Sequence, residues 1–145
     1  KVYGMTHFIF SASEYYQHPV DPKEYQWILD YFENNIDRIL TDTTEDIITE
    51  VGISFLITGN GDNPVVEKVK KHVIAAYDPK TMMIPSPHGK VELSSGEHRN
   101  VLAMMLLDWP ETLHKGPYLN NISSTKKYLP KLVKPKASMN DAKSH

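Results

Sequence analysis

Glu45-Asp46-Ile47-Ile48-Thr49-Glu50-Val51-Gly52-Ile53-Ser54-Phe55-Leu56-Ile57 is apolar on nearly every side in its second half, yet it carries Asp46 and Glu50 four residues apart near its start. A helix that is apolar all round is buried. Its carboxylates must then be paired or face a cavity, because an unpaired buried charge is costly. The rest of the chain is therefore read as arranged around this helix. Gly52 in its middle costs about 1 kcal/mol relative to alanine, which points to a close helix approach. Asp42-Thr43-Thr44-Glu45 supplies a capping pattern at its start, and Gly59-Asn60-Gly61-Asp62 ends it.

Upstream, Val2 to Tyr16 is too dense in apolar residues for a surface element and reads as a second buried helix, with Gly4 permitting close packing. Gln17-His18-Pro19-Val20 breaks it. Asp21-Pro22-Lys23-Glu24 then offers an N-cap, a proline at the first helical position and a capping-box glutamate. Tyr25, Ile28, Phe32, Ile36 and Ile39 follow at helical spacing, with Asp30, Glu33, Asn34 and Asp37 opposite, which makes an amphipathic helix. The aromatic pairs Tyr15-Tyr16 and Trp27-Tyr31 read as core.

Downstream, Asn63-Pro64 caps a further amphipathic helix, in which Val66, Val69, Val73 and Ala76 oppose Glu67, Lys68 and Lys71. Residues 78–93 hold three prolines and read as a small hairpin or an irregular loop, with Met82-Met83 as core filler or a lid. Ser94-Ser95-Gly96-Glu97 repeats the capping box. His98 to Trp109 is apolar nearly all round, and Pro110 stops it. A short helix is expected around Ser124 to Leu129. From Lys126 to His145 six lysines face one acid, Asp141, and two prolines interrupt the chain, the composition of a flexible tail.

Buried and exposed helices thus alternate, with inner helices near residues 2–16, 43–58 and 95–108 and outer helices near 22–40 and 64–77. The expected fold is all-α, built of αα-hairpins repeating at about 40 to 50 residues, in a domain spanning residues 1–125 followed by the tail at 126–145. The inner-helix starts can be laid on one another as Thr6-His7-Phe8-Ile9, Glu45-Asp46-Ile47-Ile48 and Glu97-His98-Arg99-Asn100. His7, Asp46 and His98 then occupy one equivalent position.

This layout resembles the α/α toroids, a group that includes lanthionine synthetase cyclases, protein prenyltransferase β subunits, terpenoid cyclases and several glycoside hydrolases and lyases. More narrowly, Val2-Tyr3-Gly4-Met5-Thr6-His7, Asp46-Ile47-Ile48-Thr49-Glu50-Val51-Gly52 and Glu97-His98-Arg99-Asn100 are similar to an uncharacterised bacterial family of toroid-like helical proteins. The resemblance implies a reacting centre at one end of the ring, where His7, Asp46 and His98 would meet. The chain departs from the cyclases and prenyltransferases in having no cysteine for zinc. Three hairpins also make only about half a usual ring, so a partial toroid or a missing N-terminal portion is expected.

Two imidazoles and a carboxylate are a sensible ligand set for zinc, or for iron with open positions, so His7, Asp46 and His98 are candidate metal ligands. The same histidines could instead be neutral and hydrogen-bonded to Asp46, Glu50 or backbone, tying helices together. A third reading is metal-free acid and base work by Asp46 and Glu50 with His98. A glycosidase pair is disfavoured, because two carboxylates on one helix turn do not face a sugar from opposite sides. His18, His88, His114 and His145 read as plain surface residues.

Sixteen basic and eighteen acidic residues among 145 give a net charge of −2, which offers no global attraction to nucleic acid or to an anionic membrane. The absence of cysteine excludes disulfides and thiolate chemistry. No apolar run approaches the roughly 18 residues of a membrane span, and no signal-peptide pattern opens the chain, which favours a cytoplasmic location. Lys1 in place of Met, with helical sequence at once behind it, suggests a fragment or a processed product. The expected partner is a small molecule or peptide held by His7, Asp46, Glu50 and His98. The competing expectation is a protein held on the concave face of a non-enzymatic scaffold.

Overall fold

In the computed structural model, which describes residues 1–116, the chain folds into five α-helices: Val2–Ala12 (α1), Gln26–Asp42 (α2), Glu45–Ile57 (α3), Pro64–Ala76 (α4) and Leu93–Leu107 (α5). No β-strand forms among the described residues, only an isolated antiparallel bridge between Asp78 and Met83. The described chain is all-α. Residues Lys1–Lys115 form one compact unit. The expected domain end at residue 125, the short helix around Ser124 to Leu129 and the lysine-rich tail lie outside the described residues.

The helix α3 is the hub. Every residue from Ile48 to Phe55 is buried, as is Ile57, and α1, α2, α4 and α5 all pack on it. The four surrounding helices meet in sequence, α1 against α2, α2 against α4 and α4 against α5, while α1 and α5 flank α3 with little or no contact between them. Full burial of Phe55, Ile48 and Ile53 contributes about 1.5–3 kcal/mol each.

Only α3 is buried all round, which corrects the expected set of three buried inner helices. Tyr3 and Phe8 on α1, and Val101, Met104 and Leu107 on α5, are exposed. The apolar density of α1 and α5 misled because it does not say how many sides of a helix find a neighbour. Each finds α3 and one further helix at most, and keeps an open face. Among the described residues the packing is a hub with four satellites, and neither a ring nor a hairpin repeat is seen. Trp27 and Tyr15, expected in the core, also lie exposed, whereas Tyr31 packs against the core and Tyr16 is half-buried.

Asp21 begins the second helix as expected, its carboxylate accepting the Lys23 amide at 3.0 Å, although Pro22–Tyr25 is a turn of 3-10 helix before α2 proper. Asn63 caps α4 through the Val65 amide at 2.9 Å. At the end of α3, Gly59 takes φ +72°, the Asn60 amide donates to the Phe55 carbonyl and the Gly59 amide to Leu56. This is the left-handed glycine stop read from the sequence. Two caps differ. Thr44 stands at the N-cap of α3 without bonding its backbone, and α5 begins at Leu93, so Ser94-Ser95-Gly96-Glu97 lies inside the helix.

Glycine roles divide likewise. A Cβ on Gly52 would stand 2.7 Å from Leu106 Cδ1 and 3.0 Å from Val69 Cγ1, so α4 and α5 both close on α3 there. Gly4 has open space around its Cα, and the close packing expected of it is absent. Residues 78–92 form an irregular loop anchored by Asn100 on α5, whose side chain accepts the Ile84 amide at 2.8 Å and donates to the Ile84 carbonyl at 3.2 Å. Met82 in that loop is exposed, while Ile84 is buried.

Candidate functional site

Asp46 and Glu50 occupy successive turns of α3, and the two satellites that flank this face each bring one histidine. His7 on α1 places Nδ1 3.8 Å from Glu50 Oε2, and His98 on α5 places Nδ1 3.9 Å from Asp46 Oδ2. The four side chains form a row across three helices in the order His7, Glu50, Asp46, His98. Side-chain exposure falls from 66% at His98 through 32% at Asp46 to 3% at Glu50, with His7 at 30%. The row is open at one end and floored by a buried carboxyl.

Glu50 is held by Thr6, a fully buried α1 residue whose hydroxyl donates to Oε2 at 2.7 Å. The same hydroxyl lies 2.8 Å from the Tyr3 carbonyl. One hydroxyl proton cannot serve two acceptors. When Glu50 is protonated, its own O–H becomes the donor to Thr6 and the Thr6 proton goes to Tyr3, which satisfies every group. Burial raises the Glu50 pKa most, and the charge of Asp46 adds to it, against the Thr6 hydrogen bond and the charges of His7 and His98, with a net upward shift. Geometry and electrostatics therefore both favour the neutral acid. His7 donates through Nδ1 to the Tyr3 carbonyl at 2.9 Å, since a carbonyl can only accept. Asp46 accepts the Thr44 hydroxyl on Oδ1 and faces His98 with Oδ2. Thr44 thus serves the site instead of the helix backbone.

Tyr16 belongs to the same neighbourhood, although its sequence position reads as core. Burial pushes its phenol pKa up to about 12, and the charges of Glu50 and then Tyr15 push the same way. Glu14, Tyr15 and Tyr16 have φ of 51°, 54° and 72°, a left-handed run without glycine. Such backbone costs of order 1 kcal/mol or more per residue. It is held by the Tyr15 amide on the Phe10 carbonyl at 2.8 Å, the Tyr16 amide on Ser13 Oγ at 2.9 Å and the Tyr16 ring 5.0 Å from that of Phe10.

The predicted residues His7, Asp46, Glu50 and His98 are thus brought together, but in two pairs. Zinc or iron would need His7, Asp46 and His98 around one point. Among the described residues no three histidine, aspartate or glutamate side chains form a group that could hold a metal. Glu50 is paired with His7 and Asp46 with His98, so the three proposed ligands do not share one point. Thr6 and Tyr16 were not legible as site residues: a threonine between Met5 and His7 and a tyrosine after a helix carry no pattern that marks them.

No described helix is long and apolar enough to cross a membrane. No curated protein and no solved structure matches the chain. Residues 1–136 match the domain of unknown function DUF3541, and the chain belongs to that family.

Proposed function

We propose that this domain binds a small organic molecule or peptide over the row His7, Glu50, Asp46, His98, with Glu50 as a held proton donor and Asp46 and His98 as the acid and base groups nearer solvent. The observation that carries the reading is the convergence of four ionisable side chains from three helices about 40 and 50 residues apart in sequence, around a carboxyl that is 2% exposed. A buried carboxyl beside an imidazole is an arrangement general acid and base catalysis uses. The test is a titration of the 15N-labelled protein with panels of small acids, amines and tripeptides, following the imidazole signals of His7 and His98. A ligand of the row shifts both signals saturably, and Glu50→Gln with Asp46→Asn abolishes the response. Shifts that survive both substitutions would sink the proposal.

A second reading is a scaffold for a protein partner. It is favoured by the exposed Val101, Met104 and Leu107, which follow one another at three-residue steps on α5. Substituting Val101→Lys with Met104→Glu would then abolish partner capture while leaving the helical signal unchanged.

A further inference from the structure

After α5 the chain runs back past the α1–α2 connection, and it is held there by side chains alone. No residue from Trp109 to Lys115 makes a hydrogen bond among the described residues; the last backbone bond is from the Asp108 amide to the Met104 carbonyl at 2.9 Å. Trp109 and Leu113 are half-buried, and a cleft opens on each flank of the segment. The one on the α1–α2 side has a volume of 240 Å³ and is walled by Tyr16, Met105, Trp109 and Leu113, with Asp108 and His114 on its border.

We propose that this cleft is a binding site for a single-ring aromatic compound carrying one hydrogen-bonding group, of which phenol is the simplest. Size selects the class: the cleft exceeds the roughly 150 Å³ that holds benzene in a cavity and falls below the about 300–1,000 Å³ of drug-sized ligands. The walls select an aromatic, because Tyr16 and Trp109 offer ring faces and edges and Met105 a polarisable thioether. The polar complement is open, since neither the Trp109 indole N–H nor the His114 imidazole has a partner among the described residues. Tyr16 is fixed in place by the left-handed run Glu14, Tyr15, Tyr16, strain of the kind that persists where surrounding structure over-determines a side chain. A raised phenol pKa keeps Tyr16 a neutral donor throughout the physiological range. The proposal stands whether or not the histidine–carboxylate row takes a ligand.

The test uses the whole chain with Trp27→Phe, so that Trp109 is the sole tryptophan, and titrates phenol while the Trp109 indole N–H and the Met105 methyl are followed by NMR. Expected are saturable shifts of both signals and contacts between the phenol protons and Trp109. Leu113→Phe, which narrows the cleft, should weaken binding by about tenfold or more, and Tyr16→Phe by about fivefold through loss of one hydrogen bond. Linear, unsaturated shifts in the Trp27→Phe protein would overturn the proposal. So would a Leu113→Phe protein of unchanged helical signal that binds phenol equally well. Should Leu113→Phe fail to fold, the presence or absence of phenol contacts to Trp109 and Met105 decides.

Discussion

Glu50 is 2% exposed, and its pKa lies above the ordinary 4.5 because burial outweighs the Thr6 hydrogen bond and the two histidines. The folded protein therefore holds this proton more tightly than the unfolded chain does. For a group raised on folding, the stability it contributes is complete below the unfolded value and is lost as pH rises through the folded value. Urea unfolding should show wild type losing stability relative to Glu50→Gln as pH climbs from about 4.5 upward. A difference that grows in the opposite direction would mean that Glu50 is ionised in its pocket. Glu14 offers a second test at this scale, being exposed at φ 51°. Glu14→Gly relieves left-handed strain and should raise stability by up to about 1 kcal/mol, read as a Tm increase of a few degrees. The acidic pair and its histidines were legible in the sequence, because ionisable groups on apolar helices stand out. Thr6 and Tyr16 were not, because only the Thr6 hydrogen bond to Glu50 and the effect of Glu50 on the Tyr16 phenol distinguish them.

Among the elements, α3 behaves as its sequence requires. Its start and stop are local matters, set by residues within one turn of each end, and its burial follows from apolar residues on every side. Gly52 shows where the element meets its neighbours: the close approach of Leu106 and Val69 leaves no room for a methyl group. Gly52→Ala gains about 1 kcal/mol of helix propensity but forces two fully buried side chains aside, which typically costs about 1–3 kcal/mol. Net destabilisation is expected in thermal or urea melts, and a rise in Tm would show that α4 and α5 stand further off. By contrast, α1 and α5 have the composition of buried helices and the environment of half-buried ones. Apolar density measures what a helix could bury, whereas burial depends on how many neighbours reach it.

For the whole molecule, all four other helices pack on α3. Phe55→Ala, at a residue 1% exposed on α3, should cost about 3–5 kcal/mol, and circular dichroism and tryptophan fluorescence should lose signal in one shared transition. Phe8→Ala removes an equally large ring that is 62% exposed on α1, and its effect should stay within about 0.5 kcal/mol. Equal losses from the two would indicate that the outer face of α1 is covered in solution, which is what the scaffold reading requires. The same architecture builds the row of ionisable groups, because two satellites that both lean on α3, with little or no contact between them, leave its Asp46 and Glu50 face to their histidines.

The sequence by itself determined the all-α class, the approximate positions of the helices, the glycine stop after Ile57 and the tight passage at Gly52, and it singled out Asp46 and Glu50 as carboxylates on a buried helix. These depend on periodicity, on capping and on the cost of burying charge, all of which act within a few residues. Tertiary structure alone decided that one helix and not three is enclosed, that each histidine pairs with its own carboxylate, and that Thr6 holds Glu50 while Tyr16 feels its charge. Those outcomes depend on which faces of separate helices meet, and helices joined by flexible connections can present the same apolar stripe to many partners before packing selects one.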